Sequence, residues 1–359
     1  MSRSRDETLA LLRGQPLSRI PVFSGLPSLT AIGLDRAGVR YAEAYTDAAK
    51  MTLAAATTFE AFAFESAVVP FDLCVEAEAL GCRVDYHADA DAHPLSPALG
   101  EGPGVRESWL PPVVSESLPI GWIDRPAAHF VPEQAGRAGR IPLVAEAIRR
   151  LKTGVGREVA IGAWIPGPFT LAWQLFGTDA WLASLREAAP VARLLNVLTE
   201  FLTRVAVHYR EAGADFITVH EMGGSPQAIG PTRFRALVTP ALAQLMRRLP
   251  SPKVLSVCGD TNAILTDLTA CGADALSVDQ RNDLARTRRV LGPKAILLGN
   301  FDPVATLSLG TPQSIAGVVA ACAAAGVNAI WPGCDLWPDV PEANLRALID
   351  AARTTASYQ

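Results

Sequence analysis

Four short apolar segments between residues 253 and 337 constrain the fold of this chain more than any other feature of its sequence. They are contained in PKVLSVCGD, GADALSVDQ, PKAILLGNFDP and GVNAIWPGC, and a segment with helical periodicity follows each one. Aliphatic runs bounded by glycine, aspartate and asparagine are typical of buried parallel strands. Strands that alternate with helices predict right-handed βαβ crossovers. The polar residues at the strand ends are therefore expected on one rim of a parallel sheet.

The alternation of strands and helices extends over the whole chain and predicts a (β/α)8 TIM barrel. A barrel with insertions accommodates 359 residues, of which 49% are hydrophobic, so we expect one domain over residues 1–359. A short helix over residues 5–13 precedes the first predicted strand, residues 19–25. The periodicity stops in residues 87–132, which predicts an insertion or lid over the rim.

Composition limits the classes of partner and the compartment. The net charge is −4 and no basic run occurs, which argues against nucleic acid or an anionic membrane as a partner. The N-terminus lacks the apolar region of a secretory signal, and no apolar stretch is long enough to span a bilayer, so we expect a cytoplasmic protein. The six cysteines do not resemble a disulfide framework and are expected to be reduced.

Two cysteines follow different predicted strands and are candidate metal ligands. In a closed barrel Cys258 and Cys334 would converge on one rim, where two thiolates can hold Zn²⁺. Asp279, Glu221 and His220 also end strands and are available to complete the site. A zinc with an open position would bind an incoming thiol and lower its pKa. The alternative is that both cysteines are buried packing residues beside glycine.

Two pairs of ionisable residues are candidates for catalysis or binding. His220 and Glu221 end one strand and predict acid–base or ligand roles, which Asp279 could share, although a turn-forming pair explains them as well. Asp72 and Glu76 lie four residues apart and could bind an amine-bearing ligand, while capping of the next helix also explains Asp72.

Three further residues are candidates for substrate contacts. Asn300 and Asp302 in GNFDP could orient a ligand by hydrogen bonds, with a turn at the strand end as the alternative. Trp164 could form a wall against a flat ligand, although core packing is the commoner fate of an aromatic side chain.

Several longer motifs together identify a family resemblance. They are PFDLCVEAEALGC, CGDTNAILTDL, GADALSVD, LLGNFDPVATLSLGTP and PGCDLWPDVPEANLRALIDAA. The chain resembles the uroporphyrinogen decarboxylase superfamily, and within it the cobalamin-dependent branch that includes methylcobalamin:coenzyme M methyltransferases. This resemblance implies a methyl transfer between methylcobalamin, or another corrinoid on a separate small protein, and a low-molecular-weight acceptor.

The resemblance also bears on the metal site and on the acceptor. Thiol-activating members of the branch hold zinc with a His-x-Cys pair on one strand and the cysteine of a later Pro-Gly-Cys turn. Cys258 and Cys334 match these cysteines, but Ser256 occupies the histidine position, and a hydroxyl is a poor zinc ligand. Either Asp279, Glu221 or His220 completes the site, or zinc is absent and the acceptor is tetrahydrofolate. Ser256 is also a candidate for substrate contact. The serine favours tetrahydrofolate as the acceptor, whereas the two cysteines favour a thiol.

Two other functions are compatible with the same resemblance. In a uroporphyrinogen-decarboxylase-like lyase Asp72 would contact the pyrroles, but residues 24–29 (SGLPSL) contain no arginine to bind propionate groups, and no histidine follows His220. A non-catalytic barrel that binds a tetrapyrrole or a methyl donor is the second alternative, with Ser256 as its main support.

Overall fold

A computed structural model describes residues 4–87 and 110–355 and confirms the parallel α/β barrel. Its main sheet contains seven parallel strands in the order β1-β4-β5-β6-β7-β8-β9. Their bounds are β1 Ser66–Val69, β4 Ala160–Pro166, β5 Phe216–Glu221, β6 Lys253–Val257, β7 Ala275–Val278, β8 Ile296–Phe301 and β9 Ala329–Pro332.

The segment that was predicted as the first strand occupies the eighth position of the barrel, between β9 and β1. Its backbone bonds to both neighbours: Phe23 N–H donates to the Ile330 carbonyl (3.3 Å), and Glu65 N–H donates to the Val22 carbonyl (2.8 Å). Val22 forms an isolated bridge with Ile330 and no continuous ladder, so the segment is less regular than a full strand. The hydroxyl of Ser66 extends this pairing by accepting from Ser24 N–H and donating to the Ser24 carbonyl.

Helices surround the sheet as the crossovers require. Their bounds are α1 Ser4–Leu12, α2 Ala31–Ala37, α3 Glu43–Thr46, α4 Ala48–Phe62, α5 Val75–Ala79, α6 Ile141–Gly154, α7 Pro168–Phe176, α8 Thr178–Ser184, α9 Ala188–Ala212, α10 Pro226–Ile229, α11 Pro231–Arg233, α12 Thr239–Arg248, α13 Leu265–Ala270, α14 Leu284–Leu291, α15 Pro312–Ala324 and α16 Glu342–Arg353. Two π-helical turns, Phe234–Val238 and Pro303–Ser308, are also present. In the described parts of the chain no helix is long and apolar enough to cross a membrane.

The inside of the barrel is a packed core. Phe23, Phe216 and Trp331 are fully buried there, and the ring of Phe23 meets those of Phe216 and Trp331 edge to face. Leu9 and Leu12 of α1 belong to the same apolar cluster. The amino-terminal helix therefore adds to the barrel core, which leaves the carboxyl rim for chemistry.

A small antiparallel ribbon lies where an insertion was predicted. Strand β2 (Arg83–Asp85) pairs with β3 (Val113–Glu116), and three short 3-10 helices follow, Ile120–Asp124, Pro126–Ala128 and Pro132–Arg137. Residues 88–109 of the predicted lid lie outside the described residues. The lid itself therefore stays a prediction.

Candidate metal centre and active site

One histidine and the two predicted cysteines meet at the carboxyl rim. One ligand atom each from His220, Cys258 and Cys334 lies within 4.8 Å of the others. Nε2 of His220 is 3.4 Å from Sγ of Cys258, while Nδ1 is buried without a hydrogen-bond partner. Two thiols and one imidazole at this spacing fit a zinc site with one open position. The donor set therefore suits the metal that the resemblance implies.

The register of the sheet explains how His220 reaches the two thiols. In the ladder between β5 and β6, His220 is the direct partner of Ser256, the position where the resemblance expects the histidine. Both residues are buried, and Cys258 follows two positions after Ser256, on the same side of the strand. An imidazole on β5 thus occupies the space beside the serine on β6.

Cys334 is placed by a tight contact beneath its turn. Gly333 precedes it, and a Cβ atom at Gly333 would lie 2.4 Å from Oε1 of Gln280 and 2.8 Å from its backbone nitrogen. The Gly333 N–H donates to the Phe301 carbonyl of β8 (2.8 Å), so the turn is tied to the neighbouring strand. Only glycine permits this approach of the turn to the rim.

The two thiols differ in acidity because they lie close to each other and to an imidazole. The neighbouring Cys258 holds the pKa of Cys334 well below its usual value, and His220 lowers it further. The proximity of Cys334, together with burial, raises the pKa of Cys258. Burial lowers the pKa of His220, but the neighbouring Cys334 outweighs this effect and the net shift is upward. The centre is thus suited to hold Cys334 as a thiolate.

Asp335 follows Cys334 and was not singled out from the sequence. Its carboxyl is half-buried, and Oδ1 is shielded from solvent without a hydrogen-bond partner. Burial raises the pKa of Asp335 to about 8, and the Cys334 thiolate contributes to the same shift. Its position directly after a candidate ligand, in PGCD, was the signal in the sequence.

Glu221 points away from the thiols and organises two loops. Its Oε1 accepts from the Thr170 hydroxyl (2.5 Å) and from Gly224 N–H (3.0 Å), while Oε2 is buried without a partner. Burial raises its pKa. Because successive residues of a strand face opposite sides, His220 and Glu221 cannot both reach the thiols.

Asp279, Asn300 and Asp302, the candidates at the ends of β7 and β8, make hydrogen bonds that stabilise loops at the rim. Asp279 accepts from Gly259 N–H (2.9 Å) and Arg281 N–H (2.8 Å), and its carbonyl accepts from the Asn300 amide (2.7 Å). Asp302 caps the π-helical turn by accepting from the N–H groups of Val304 and Ala305. Asp279 is not part of the group formed by His220, Cys258 and Cys334.

Asp72 and Glu76 lie in a buried charged cluster with Arg140. Both oxygens of Asp72 accept from the Arg140 guanidinium (2.8 and 2.9 Å), and Arg140 also donates to Glu78 (2.7 Å). Glu76 is 1% exposed and its Oε1 has no hydrogen-bond partner. Burial raises the pKa of Glu76 to about 8. Arg140, 68 residues from Asp72, was not identified from the sequence.

Two cavities flank Trp173 and Thr178 at the rim. The first, here the Asp335 cavity, has a volume of about 410 Å³ and is lined among others by Phe71, Asp72, Cys74, Trp164, Trp173 and Asp335. The second is about 320 Å³, largely apolar, and is lined among others by Trp181, Leu182, Met222 and Cys258. Trp164 also meets the His220 ring edge to face, with ring centroids 6.1 Å apart. The second cavity therefore adjoins the thiol centre at Cys258, while the first is lined by two neighbours of that centre, Trp164 and Asp335.

Known proteins resemble this chain over almost its whole length. A family model described as "Uroporphyrinogen decarboxylase (URO-D)" matches residues 3–355. The chain is 30% identical over 349 residues to the methylcobamide:CoM methyltransferase MtaA of Methanosarcina barkeri, covering 97% of this chain and 96% of that protein. It is also 30% identical to the methylcobamide:CoM methyltransferase MtbA of Methanosarcina acetivorans, covering 97% of both chains. A solved methyltransferase from Methanosarcina mazei superposes with a TM-score of 0.86 at 28% identity and 98% coverage of both chains.

Proposed function

Since this chain belongs to the uroporphyrinogen decarboxylase family and is a methyltransferase, we propose that it transfers a methyl group from a corrinoid to a small thiol. The observation that carries this proposal is the convergence of His220, Cys258 and Cys334 within 4.8 Å. Methylcobamide-dependent relatives support the corrinoid as the donor.

The thiol is preferred over tetrahydrofolate because the histidine is supplied from β5. Ser256 favoured the folate only as long as the site lacked an imidazole. His220 lies beside Ser256 in the ladder and completes a two-cysteine, one-histidine donor set. An amine acceptor needs hydrogen bonding and proton management, which a thiolate-rich centre does not provide.

In this proposal the protein residues bind the metal and orient the acceptor. His220, Cys258 and Cys334 would hold zinc, whose positive charge lowers the pKa of a thiol in its open position. Nδ1 of His220 makes no hydrogen bond that could orient the ring. The edge-to-face contact with Trp164 would orient it instead. The cobalt–carbon bond of the donor breaks and a sulfur–carbon bond forms, while the bond pair stays with the corrinoid.

The corrinoid would be carried by a separate protein that covers the rim, as the resemblance implies. Trp337 (38% exposed) lies in the loop after Cys334, and Leu182 (42% exposed) lies in α8 beside the second cavity. The predicted cytoplasmic location suits this chemistry, since all six cysteines are free thiols. The lyase and the non-catalytic barrel do not account for the thiol centre.

The test combines metal analysis with methyl transfer. Protein purified without added zinc should contain about one zinc per chain and should demethylate methylcobalamin in the presence of a small thiol such as 2-sulfanylethanol. Cys258→Ser and Cys334→Ser should lose most of the metal and at least about 100-fold in rate. Cys322→Ser is the matched control, because this buried cysteine lies in α15, outside the centre.

The outcomes separate the two acceptors. A zinc-free wild type that methylates tetrahydrofolate would overturn the thiol proposal. Retention of full activity by both cysteine variants would remove Cys258 and Cys334 from the mechanism altogether.

A further inference from the structure

The second cavity at the rim borders the thiol centre directly. Cys258, a proposed metal ligand, lines it together with Met222 and Leu182. Its volume of about 320 Å³ lies at the lower end of the range of small-molecule sites, about 300–1,000 Å³. An acceptor whose sulfur is held beside Cys258 would therefore have next to it a space that is large enough for a short tail.

The lining of this cavity is apolar and carries no charge. Among residues 4–87 and 110–355, no acidic residue, lysine, arginine or histidine lines it. The Thr178 hydroxyl already accepts from the Trp173 indole N–H (2.6 Å), and the indole nitrogen of Trp181 is shielded from solvent and so from the open space. A sulfonate or an ammonium group in this cavity would have no counter-charge from the lining, whereas an alkyl chain needs none.

Contacts between rim loops hold the walls of the cavity in place. The backbone N–H groups of Met222 and Gly223 donate to the Thr170 hydroxyl (2.7 and 3.0 Å). Gly223 also lets the Trp173 ring lie against this loop, since a Cβ atom at Gly223 would be 3.2 Å from Cε3 of the ring. The cavity is thus a preformed site, and a tail that fits it loses little free energy to reorganisation of the loops.

We propose that the thiol acceptor of this protein carries a short alkyl tail, which fills the second cavity while the sulfur lies at the thiol centre. This inference rests on the proposed thiol methylation and specifies its substrate class as an uncharged alkanethiol. The sulfur loses its proton to solvent and forms the new bond to the methyl carbon, and the cobalt keeps the electron pair of the broken cobalt–carbon bond. The chain would differ from the relatives named for coenzyme M, a thiol with a sulfonate tail, in the far end of the acceptor.

Five thiols test the proposal with methylcobalamin as donor. Ethanethiol, propane-1-thiol and butane-1-thiol differ only in the length of the tail, while 2-sulfanylethanol and 2-sulfanylethanesulfonate end in a hydroxyl and a sulfonate. Wild-type kcat/KM should rise about threefold with each methylene, which is the effect of burying one methylene group. Butane-1-thiol should exceed the sulfonate at least about tenfold, because the sulfonate would be desolvated without a partner.

A charge placed in the lining should remove this preference. Leu182→Asp should lower kcat/KM for butane-1-thiol at least about tenfold and for 2-sulfanylethanol less than about threefold, since a carboxylate opposes an alkyl tail more than a hydroxyl. Leu182 is 42% exposed on α8, so the variant is expected to fold. Leu53→Asp is the matched control, because Leu53 is 48% exposed on α4 and does not line the cavity.

Binding without turnover gives a second readout. In calorimetry, the wild type should bind 1-(methylsulfanyl)butane with a Kd at least about tenfold lower than that of 2-(methylsulfanyl)ethanesulfonate. Leu182→Asp should raise the Kd of the alkyl sulfide, and Leu53→Asp should not. Equal Kd values for the two methylated compounds would contradict an apolar tail site.

The results distinguish this inference from the function on which it rests. If none of the five thiols is methylated, the proposed function fails. If the thiols are methylated but the sulfonate is preferred, or kcat/KM does not rise with tail length, only the alkanethiol inference is overturned. An equal loss for all thiols in Leu182→Asp, with a raised KM for methylcobalamin, would assign the cavity to the donor and would also overturn it.

Discussion

At the scale of single residues, the position of one imidazole decides how the metal centre is assembled. The resemblance expects a histidine at position 256, but the serine there is the ladder partner of His220 on the adjacent strand. Two side chains on paired positions of neighbouring strands are separated by about one strand spacing, so either can serve the same site. We infer that the ligand function lies with β5 in this protein.

Exchanging the two positions tests this inference. His220→Ser should weaken zinc binding by more than about tenfold, since the loss of a group that merely orients a ligand already costs about 10- to 100-fold. Adding Ser256→His should restore most of the affinity, because the imidazole returns to the same space from β6. Competition with a chromogenic chelator measures both. His220→Ser with Ser256→Ala is the matched control and should not recover; equal affinity in the three variants and the wild type would exclude His220 as a ligand.

At the scale of elements, Thr170 and Glu221 join two loops at the rim. Thr170 lies in the first turn of α7, and its hydroxyl donates to Glu221 at the end of β5. The same hydroxyl accepts from the backbone N–H groups of Met222 and Gly223 (2.7 and 3.0 Å). Because His220 precedes Glu221, this network holds the strand end that carries the imidazole.

Thr170→Val should therefore destabilise the protein more than its loss of one hydroxyl suggests. It keeps the shape of the side chain but leaves the buried Glu221 and two backbone N–H groups with fewer partners, which should cost about 2 kcal/mol or more in urea unfolding. Thr199→Val is the control, since that buried hydroxyl donates to the Leu195 carbonyl of its own helix, and its loss should cost less than about 1 kcal/mol. Similar costs for the two variants would mean that the network contributes little.

At the scale of the whole molecule, several buried carboxyl groups oppose stability at neutral and alkaline pH. Burial raises the pKa of Glu76 and of Asp335 to about 8 and also raises that of Glu221. Such groups hold their protons in the folded chain after the unfolded chain has released them. Their contribution to stability is complete below about pH 4.5 and is lost as the pH rises towards 8.

Glu76→Gln should reduce this loss. Glutamine resembles the protonated acid and does not ionise, so the free energy of unfolding should fall less steeply between pH 5 and 8, by up to about 1.4 kcal/mol per pH unit. Urea unfolding at several pH values measures the slope, and the variant should exceed the wild type in stability at pH 8.5. Glu60→Gln, an exposed position of α4, is the control. Parallel pH profiles for wild type and Glu76→Gln would show that the pKa of Glu76 is not raised by folding.

The sequence by itself determined the parallel barrel, its rim of polar strand ends, the convergence of Cys258 and Cys334 on that rim, and the family. The strands and the family motifs follow from local patterns within single βα units, where neighbours in the chain are neighbours in space. The convergence of Cys258 and Cys334, which follow different strands, follows from the rule that the carboxyl ends of the strands of a parallel barrel share one rim. Only the tertiary structure decided that His220 and not Glu221 faces the thiols, that Asp72 is held by Arg140, and that Asp335 lines a cavity with Trp164 and Trp173. The reason is physical: strand register, the inward face of each strand and ion-pair partners are set by contacts between distant segments, which local sequence patterns do not specify.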